Sequence, residues 1–260
     1  MITAKKSLGQ NFLIDQNIIK KIVNVIDIKD RYILEIGPGT GNLTKKILEK
    51  DPGNFLVIEK DNDLVKLLKD KFETKIKIIN KDILKIKENS LSDEILTVFG
   101  NLPYNISTEI LIKWILGINK KETWFDYLVL MIQKEVADRI ISKHNTKNYG
   151  RLSILANWKL NISKISDIKP NSFKPIPKVD SSLLFFTPKK DFYKIKNPKN
   201  LEKITRIFFN HRRKMIKKPY NFLFDGNQRI QEKLNLDLSL RPQNLNIETY
   251  CNLAKEYENL

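Results

Sequence analysis

Up to about Val136 the chain alternates short aliphatic runs with amphipathic stretches, and this alternation constrains the fold more than any other feature. Tyr32–Ile36 reads as a strand and Gly41–Lys50 as a helix, with Asp51-Pro52-Gly53 as the turn after it. Phe55–Glu59 is a second strand, followed by a helix over Leu64–Phe72. Ile76–Asn80, Ile95–Phe99 and Tyr127–Ile132 read as further strands, and Ile106–Leu116 and Lys134–Ser142 as helices. Strands that alternate with helices predict a parallel, doubly wound α/β sheet with helices on both faces.

The character changes after Arg151. Leu152–Ile162 is apolar and of ambiguous type. Lys169–Lys178 carries prolines 170, 175 and 177, which predicts a loop rather than a regular element. Ser181–Phe186 is a strand candidate, and prolines 188 and 198 mark a boundary. Beyond it the spacing is helical. The reading is therefore a Rossmann-like domain over residues 1–189 and a small all-helical domain over 190–260. A chain of 260 residues with 41% hydrophobic content can bury that much core.

A Gly-rich turn, Glu35-Ile36-Gly37-Pro38-Gly39-Thr40-Gly41, follows the first strand and opens a helix. Glycines such as Gly37 and Gly39 let backbone approach a ligand closely. Alone, such a turn is as often structural as ligand-binding. Two acids at later strand ends add to it. Glu59 can accept both hydroxyls of a ribose, and Asp82 can accept from an adenine amino group. Each of these acids could instead cap a helix. A nicotinamide dinucleotide is disfavoured because Asn42 stands where its G-x-G-x-x-G/A fingerprint needs a small residue. The turn resembles the first motif of class I methyltransferases, with Glu59 and Asp82 matching their second and third. S-adenosylmethionine is thus the expected cofactor, and no metal is expected.

Asn101-Leu102-Pro103-Tyr104, after the fourth strand, is the most specific signal. Adenine N6 is a poor nucleophile because its lone pair is delocalised into the ring. Two carbonyl acceptors aimed at its hydrogens would draw it toward tetrahedral geometry. The Asn101 side chain and the Leu102 carbonyl can supply them. Pro103 would hold that carbonyl's orientation, and Tyr104 can stack on an extruded base. The plainer alternative is a proline turn with a packed tyrosine.

The net charge of +17 suggests a polyanionic partner, although heavy use of Lys, Ile and Asn is also what an AT-rich genome produces. The local pattern carries more weight. Lys194–Tyr220 holds ten Lys/Arg and one acid, Glu202, and three of the chain's eight arginines. Arg206, Arg212, Arg213, Lys214, Lys217 and Lys218 are the RNA-contacting candidates, since guanidinium forks match phosphate oxygens. The alternative is a solvated helix face. The single Cys251 fits a reducing, cytoplasmic setting. Met1–Phe12 has no hydrophobic signal core, and no run of about 18 apolar residues predicts a membrane span.

Six motifs in matching order carry a resemblance over nearly the whole chain: Lys6–Leu13, Gly100–Thr108, Gln133–Val136, Tyr149–Ser153, Phe173–Ser181 and Phe209–Lys214. They resemble the KsgA-type adenine dimethyltransferases of small-subunit ribosomal RNA. The resemblance implies that Asn11 and Leu13 line the cofactor site with Gly37, Glu59, Asp82 and Asn101. It also implies that Phe173 covers the target base opposite Tyr104, although packing that anchors its loop is nearly as good a reading. The implied substrate is two adjacent adenines near the 3′ end of 16S rRNA in a partly assembled small subunit, each carried to N6,N6-dimethyladenine by a monomeric enzyme without a membrane partner. The alternative is the related Erm class, which acts on 23S rRNA. Leu102 and the Phe173–Ser181 and Phe209–Lys214 stretches favour the first.

Overall fold

The computed structural model describes residues 4–119 and 123–260. Residues 1–3 of the stretch read for a signal core lie outside the described residues. The strands are β1 (Phe12–Leu13), β2 (Tyr32–Ile36), β3 (Asn54–Ile58), β4 (Lys77–Ile79), β5 (Leu96–Asn101), β6 (Phe125–Gln133), β7 (Leu160–Ile168), β8 (Phe173–Lys174) and β9 (Ser181–Pro188). The helices are α1 (Gln16–Val23), α2 (Asn42–Leu48), α3 (Asn62–Phe72), α4 (Ser107–Gly117), α5 (Lys134–Ile140), α6 (Arg151–Lys159), α7 (Pro198–Phe209), α8 (Lys217–Phe224), α9 (Gln228–Lys233) and α10 (Ile247–Tyr257). Every strand and helix read from the alternation is present, with ends shifted by a few residues.

Seven strands form one sheet in the order β4-β3-β2-β5-β6-β9-β7. The first five run parallel. β9 pairs antiparallel with β6, so the sheet is mixed rather than wholly parallel. The chain winds outward from β2 through β3 to β4, then returns to place β5 on the other side of β2. Ile36, Ile58 and Gly100 are level across the sheet, so the carboxyl ends of β2, β3 and β5 meet at this reversal. Open α/β sheets bind ligands there.

Period-2 alternation explains the core. Ile33, Phe55, Val57, Phe99, Val129, Met131 and Leu183 bury together with Ile19, Ile22 and Val23 of α1, Leu43 and Ile47 of α2, and Leu68 and Phe72 of α3. Each fully buried aliphatic side chain stabilises by roughly 1.5–3 kcal/mol before entropy is set against it. Leu34, Ile36, Leu56, Ile58, Val98 and Leu130 alternate with them and are buried too. Burial of both sets is why the central strands read as continuous apolar runs.

The ambiguous Leu152–Ile162 stretch is the end of one element and the start of another. α6 buries Ser153, Ile154, Leu155, Ala156 and Trp158, so no polar face breaks its pattern. β7 begins directly at Leu160. The proline-rich segment is mostly loop, as read, but Phe173–Lys174 pairs antiparallel with Phe12–Leu13.

The chain divides into two compact units. One comprises residues 1–113, 118–137 and 161–188, and the other 114–117, 138–160 and 189–260. Residues 138–160 fall in the second unit. There α6 packs on α7 and α10, and Arg151 bridges to Glu202 of α7 at 2.5 Å. No helix among the described residues is long and apolar enough to cross a membrane.

Candidate active site

A cleft open to solvent lies at the carboxyl ends of β2, β3 and β5. Gly37, Gly39, Glu59, Asp82, Asn101, Leu102, Pro103, Tyr104, Asn11 and Leu13 all line it. Ten of the eleven residues proposed for cofactor and chemistry therefore meet in one place. Phe173 does not. It is 1% exposed and belongs to the core beneath the cleft, where its strand pairing with Leu13 anchors the loop. Its ring is enclosed by core side chains in this structure.

The turn after β2 is shaped by glycine at two points. Gly37 has φ +64°, and a Cβ there would meet nothing closer than 3.9 Å, so its free side is open space. Gly39, at φ +57°, would put a Cβ 2.8 Å from the Phe12 ring. The first leaves room for a ligand, whereas the second lets Phe12 lie over the turn.

Glu59 is 7% exposed. Its Oε1 accepts from the Asp61 backbone N–H at 2.8 Å and its Oε2 from that of Gly39 at 3.4 Å. Burial raises its pKa, and these backbone donors, with that of Lys60, oppose the rise. Glu59 does not cap a helix; Asp61 caps α3. A carboxylate fixed in this way fits a ribose diol. Asp82 is engaged more heavily. Its Oδ1 accepts from the Leu84 N–H at 3.0 Å, and its Oδ2 accepts from Lys60 Nζ at 2.8 Å, which holds its pKa low. The cap alternative for Asp82 is thus met, while its carboxylate still faces the cleft with unused lone pairs.

Glu35 lies one layer deeper. It is 2% exposed and accepts from Thr44 Oγ1 at 2.7 Å. Burial pushes its pKa up to about 8, so it is largely neutral at pH 7 and places no full charge beside Glu59.

The Asn101–Tyr104 segment is held on each side. Asn101 Nδ2 donates to the Asn11 carbonyl at 2.7 Å, which leaves Oδ1 as the acceptor on that side chain. Leu102 N–H donates to the Met131 carbonyl at 3.3 Å, and the Pro103 carbonyl accepts from Ile106 and Ser107 N–H at the start of α4. The Leu102 carbonyl sits between these fixed points. Tyr104 hydroxyl pairs with Ser181 Oγ at 2.7 Å, and burial raises its pKa.

Sequence reasoning missed how the segment 5–13 is tied down as a wall of this cleft. Asn42, noted only for what it excludes, donates from Nδ2 to the Leu13 carbonyl at 2.8 Å. Lys5 Nζ pairs with Asp61 at 2.6 Å and Asp63 at 2.7 Å, and Gln10 Nε2 donates to Asp61 at 2.8 Å. Asn42 had a signal in its place at the start of α2. Lys5 and Asp61 had none, since the pair closes a gap of 56 residues.

The basic candidates lie in the second unit. Arg206, Arg213, Lys214, Lys217 and Lys218 are exposed, and none of them pairs with a carboxylate among the described residues. Arg212 differs. It donates to Gln243 Oε1 and to the Thr146 carbonyl, each at 3.1 Å, so much of its fork is spent inside the unit.

Comparison with known proteins gives consistent results. The family model for ribosomal RNA adenine dimethylase matches residues 1–259. The ribosomal RNA small subunit methyltransferase A of Pelagibacter ubique (strain HTCC1062) is 64% identical over 259 residues, covering all of this chain and 98% of that protein. The protein of the same name from Wolbachia sp. subsp. Drosophila simulans (strain wRi) is 40% identical over 262 residues, covering 99% and 95%. Among solved structures, a dimethyladenosine transferase from Plasmodium falciparum superposes with a TM-score of 0.80 at 25% identity, covering 95% of this chain and 98% of that one. The 23S rRNA methyltransferase ErmE superposes with a TM-score of 0.68 at 21% identity, covering 95% and 100%, a likeness of fold alone.

Proposed function

The chain belongs to the ribosomal RNA adenine dimethylase family, and on that premise we propose that it dimethylates N6 of two adjacent adenines near the 3′ end of 16S rRNA, as a cytoplasmic monomer acting on the small subunit. S-adenosylmethionine, when bound, supplies an electrophilic methyl group on a sulfonium sulfur. Gly37 and Glu59 hold the nucleoside portion, Glu59 by accepting from the ribose hydroxyls. Asp82 receives the cofactor's adenine amino group, and Asn11 and Leu13 close the pocket from the opposite wall.

The chemistry rests on two acceptors. Asn101 Oδ1 and the Leu102 carbonyl take the hydrogens of the target N6, localise its lone pair and aim it. Neither group needs to remove a proton before attack. Pro103 keeps the Leu102 carbonyl in place, and Tyr104 offers its ring to the extruded base. The observation that carries this reading is the Asn101–Asn11 hydrogen bond. It fixes the amide so that its oxygen remains available, in the same cleft as Glu59. Arg206, Arg213, Lys214, Lys217 and Lys218 bind RNA phosphates, with Arg212 in a supporting part.

The test is to incubate undermethylated small subunits with the enzyme and labelled cofactor and to map the label. Two dimethylated adjacent adenines in 16S rRNA are expected. Label in 23S rRNA instead would overturn the assignment in favour of the Erm-type activity.

A further inference from the structure

The loop from Lys174 to Asp180 belongs to neither the cofactor pocket nor the acceptor pair, yet both its ends are tied to the cleft. At one end Phe173 pairs with Leu13, a cleft residue. At the other, Ser181 Oγ holds the Tyr104 hydroxyl at 2.7 Å. Between these anchors Ile176 is 69% exposed and Val179 is 45% exposed. Pro175 and Pro177 fix φ on either side of Ile176, and Pro177 is buried. Asp180 is held by Lys169 at 2.9 Å, and its carbonyl accepts from the Lys134 N–H at 2.9 Å. The loop is thus stiff and still presents two aliphatic side chains to water. Single exposed apolar residues need no explanation. Two on one braced loop, flanked by the exposed Lys174 and Lys178, form a pattern of cation, aliphatic, cation, aliphatic.

That pattern suits a nucleic acid better than a protein surface. A stacked adenine cannot present N6 to Asn101, so the base must leave its stack at a cost of a few kcal/mol. Proteins that unstack bases commonly insert aliphatic side chains into the gap, where they replace the lost contacts. A braced backbone loses little freedom on doing so. Resting on the RNA-substrate reading above, we propose that Ile176 and Val179 form a wedge that fills the base stack beside the extruded target adenine, while Lys174 and Lys178 sit on the flanking phosphates.

The experiment uses small subunits reconstituted on 16S rRNA with fluorescent 2-aminopurine in place of one target adenine, and unmodified undermethylated subunits for turnover. Binding of the wild-type protein should raise the fluorescence as the base unstacks. The double variant Ile176→Ala with Val179→Ala should bind cofactor normally and bind subunits within a few-fold of wild type. It should lose most of the fluorescence rise and at least about tenfold in methylation rate. Ile176→Met should restore both, because it refills the gap. Lys174→Ala with Lys178→Ala should lower affinity and weaken its salt dependence while leaving the fluorescence per bound complex unchanged. The wedge is refuted if the double alanine variant keeps the wild-type fluorescence rise, or if its whole defect is affinity with normal unstacking once bound. A wild-type protein that leaves the subunits unmethylated would instead defeat the RNA-substrate reading on which the wedge depends.

Discussion

Replacing Glu35 with Gln should change how the stability of this protein depends on pH. In the folded chain the carboxyl is fully enclosed and pushed up to about 8 from an ordinary 4.5. Between those values the folded chain keeps a proton that the unfolded chain has released. Stability is therefore fully present below pH 4.5 and is lost as pH rises toward 8, by up to about 1.4 kcal/mol per pH unit. Across the window the loss is on the order of 5 kcal/mol, and water entering on ionisation reduces it. Gln has nearly the same shape, can accept the Thr44 hydroxyl through its amide oxygen, and has no proton to lose. Glu35→Gln and wild type should thus be similarly stable at pH 5, with the variant pulling ahead by several kcal/mol by pH 8.5. Urea unfolding followed by circular dichroism, repeated at half-unit steps, measures the difference. Other titrating groups are common to both proteins and cancel. Parallel stability curves across the range would show that Glu35 titrates as an ordinary carboxylate and that its burial is not felt.

Three further outcomes follow from the cleft and the basic face. Glu59→Ala removes two charge-assisted hydrogen bonds, each worth about 1.5–3 kcal/mol, and should weaken S-adenosylmethionine at least tenfold by calorimetry with the fold intact; unchanged affinity would sink the ribose role. Asn101→Ala should lower kcat far more than it lowers RNA affinity, with Asn101→Asp keeping more activity than alanine and Tyr104→Phe remaining active although its bond to Ser181 is gone; near-normal dimethylation by Asn101→Ala would overturn the acceptor mechanism. Arg213→Glu with Lys214→Glu should weaken RNA binding and flatten its salt dependence without moving thermal stability, whereas Arg212→Glu should also lower the melting temperature, because Arg212 bonds Gln243 and Thr146. Equal RNA affinity in the Arg213/Lys214 variant would make that face mere solvated surface.

How much of this was legible in the residues depended on the range of the interactions. β2 to β6 and α2 to α5 each carry their own period, so they stood out locally. The meeting of Gly37, Glu59 and Asn101 followed from one rule about parallel sheets. α6 was illegible because burial on all sides removes the polar stripe that marks a helix. The pairing of Phe12–Leu13 with Phe173–Lys174 joins two-residue strands too short to show alternation. The resemblance places Phe173 over the target base, and the structure places its ring in the core. The Lys5–Asp61 pair joins segments 56 residues apart, and a single sequence contains no trace of such proximity.

The second unit is assembled from stretches of chain that are not contiguous, since residues 138–160 join 189–260 across the last strands of the sheet. It is therefore not a module that can be cut off or transplanted at one boundary. A fragment beginning at residue 190 would lack α6 and expose the faces of α7 and α10 that pack on it. During synthesis, α6 emerges long before its partners, so its apolar surface, including Trp158, must wait or be shielded until roughly the last quarter of the chain has been made. Ribosome stalling near residue 190, or depletion of chaperones, should therefore harm this protein more than a tandem two-domain chain of equal size.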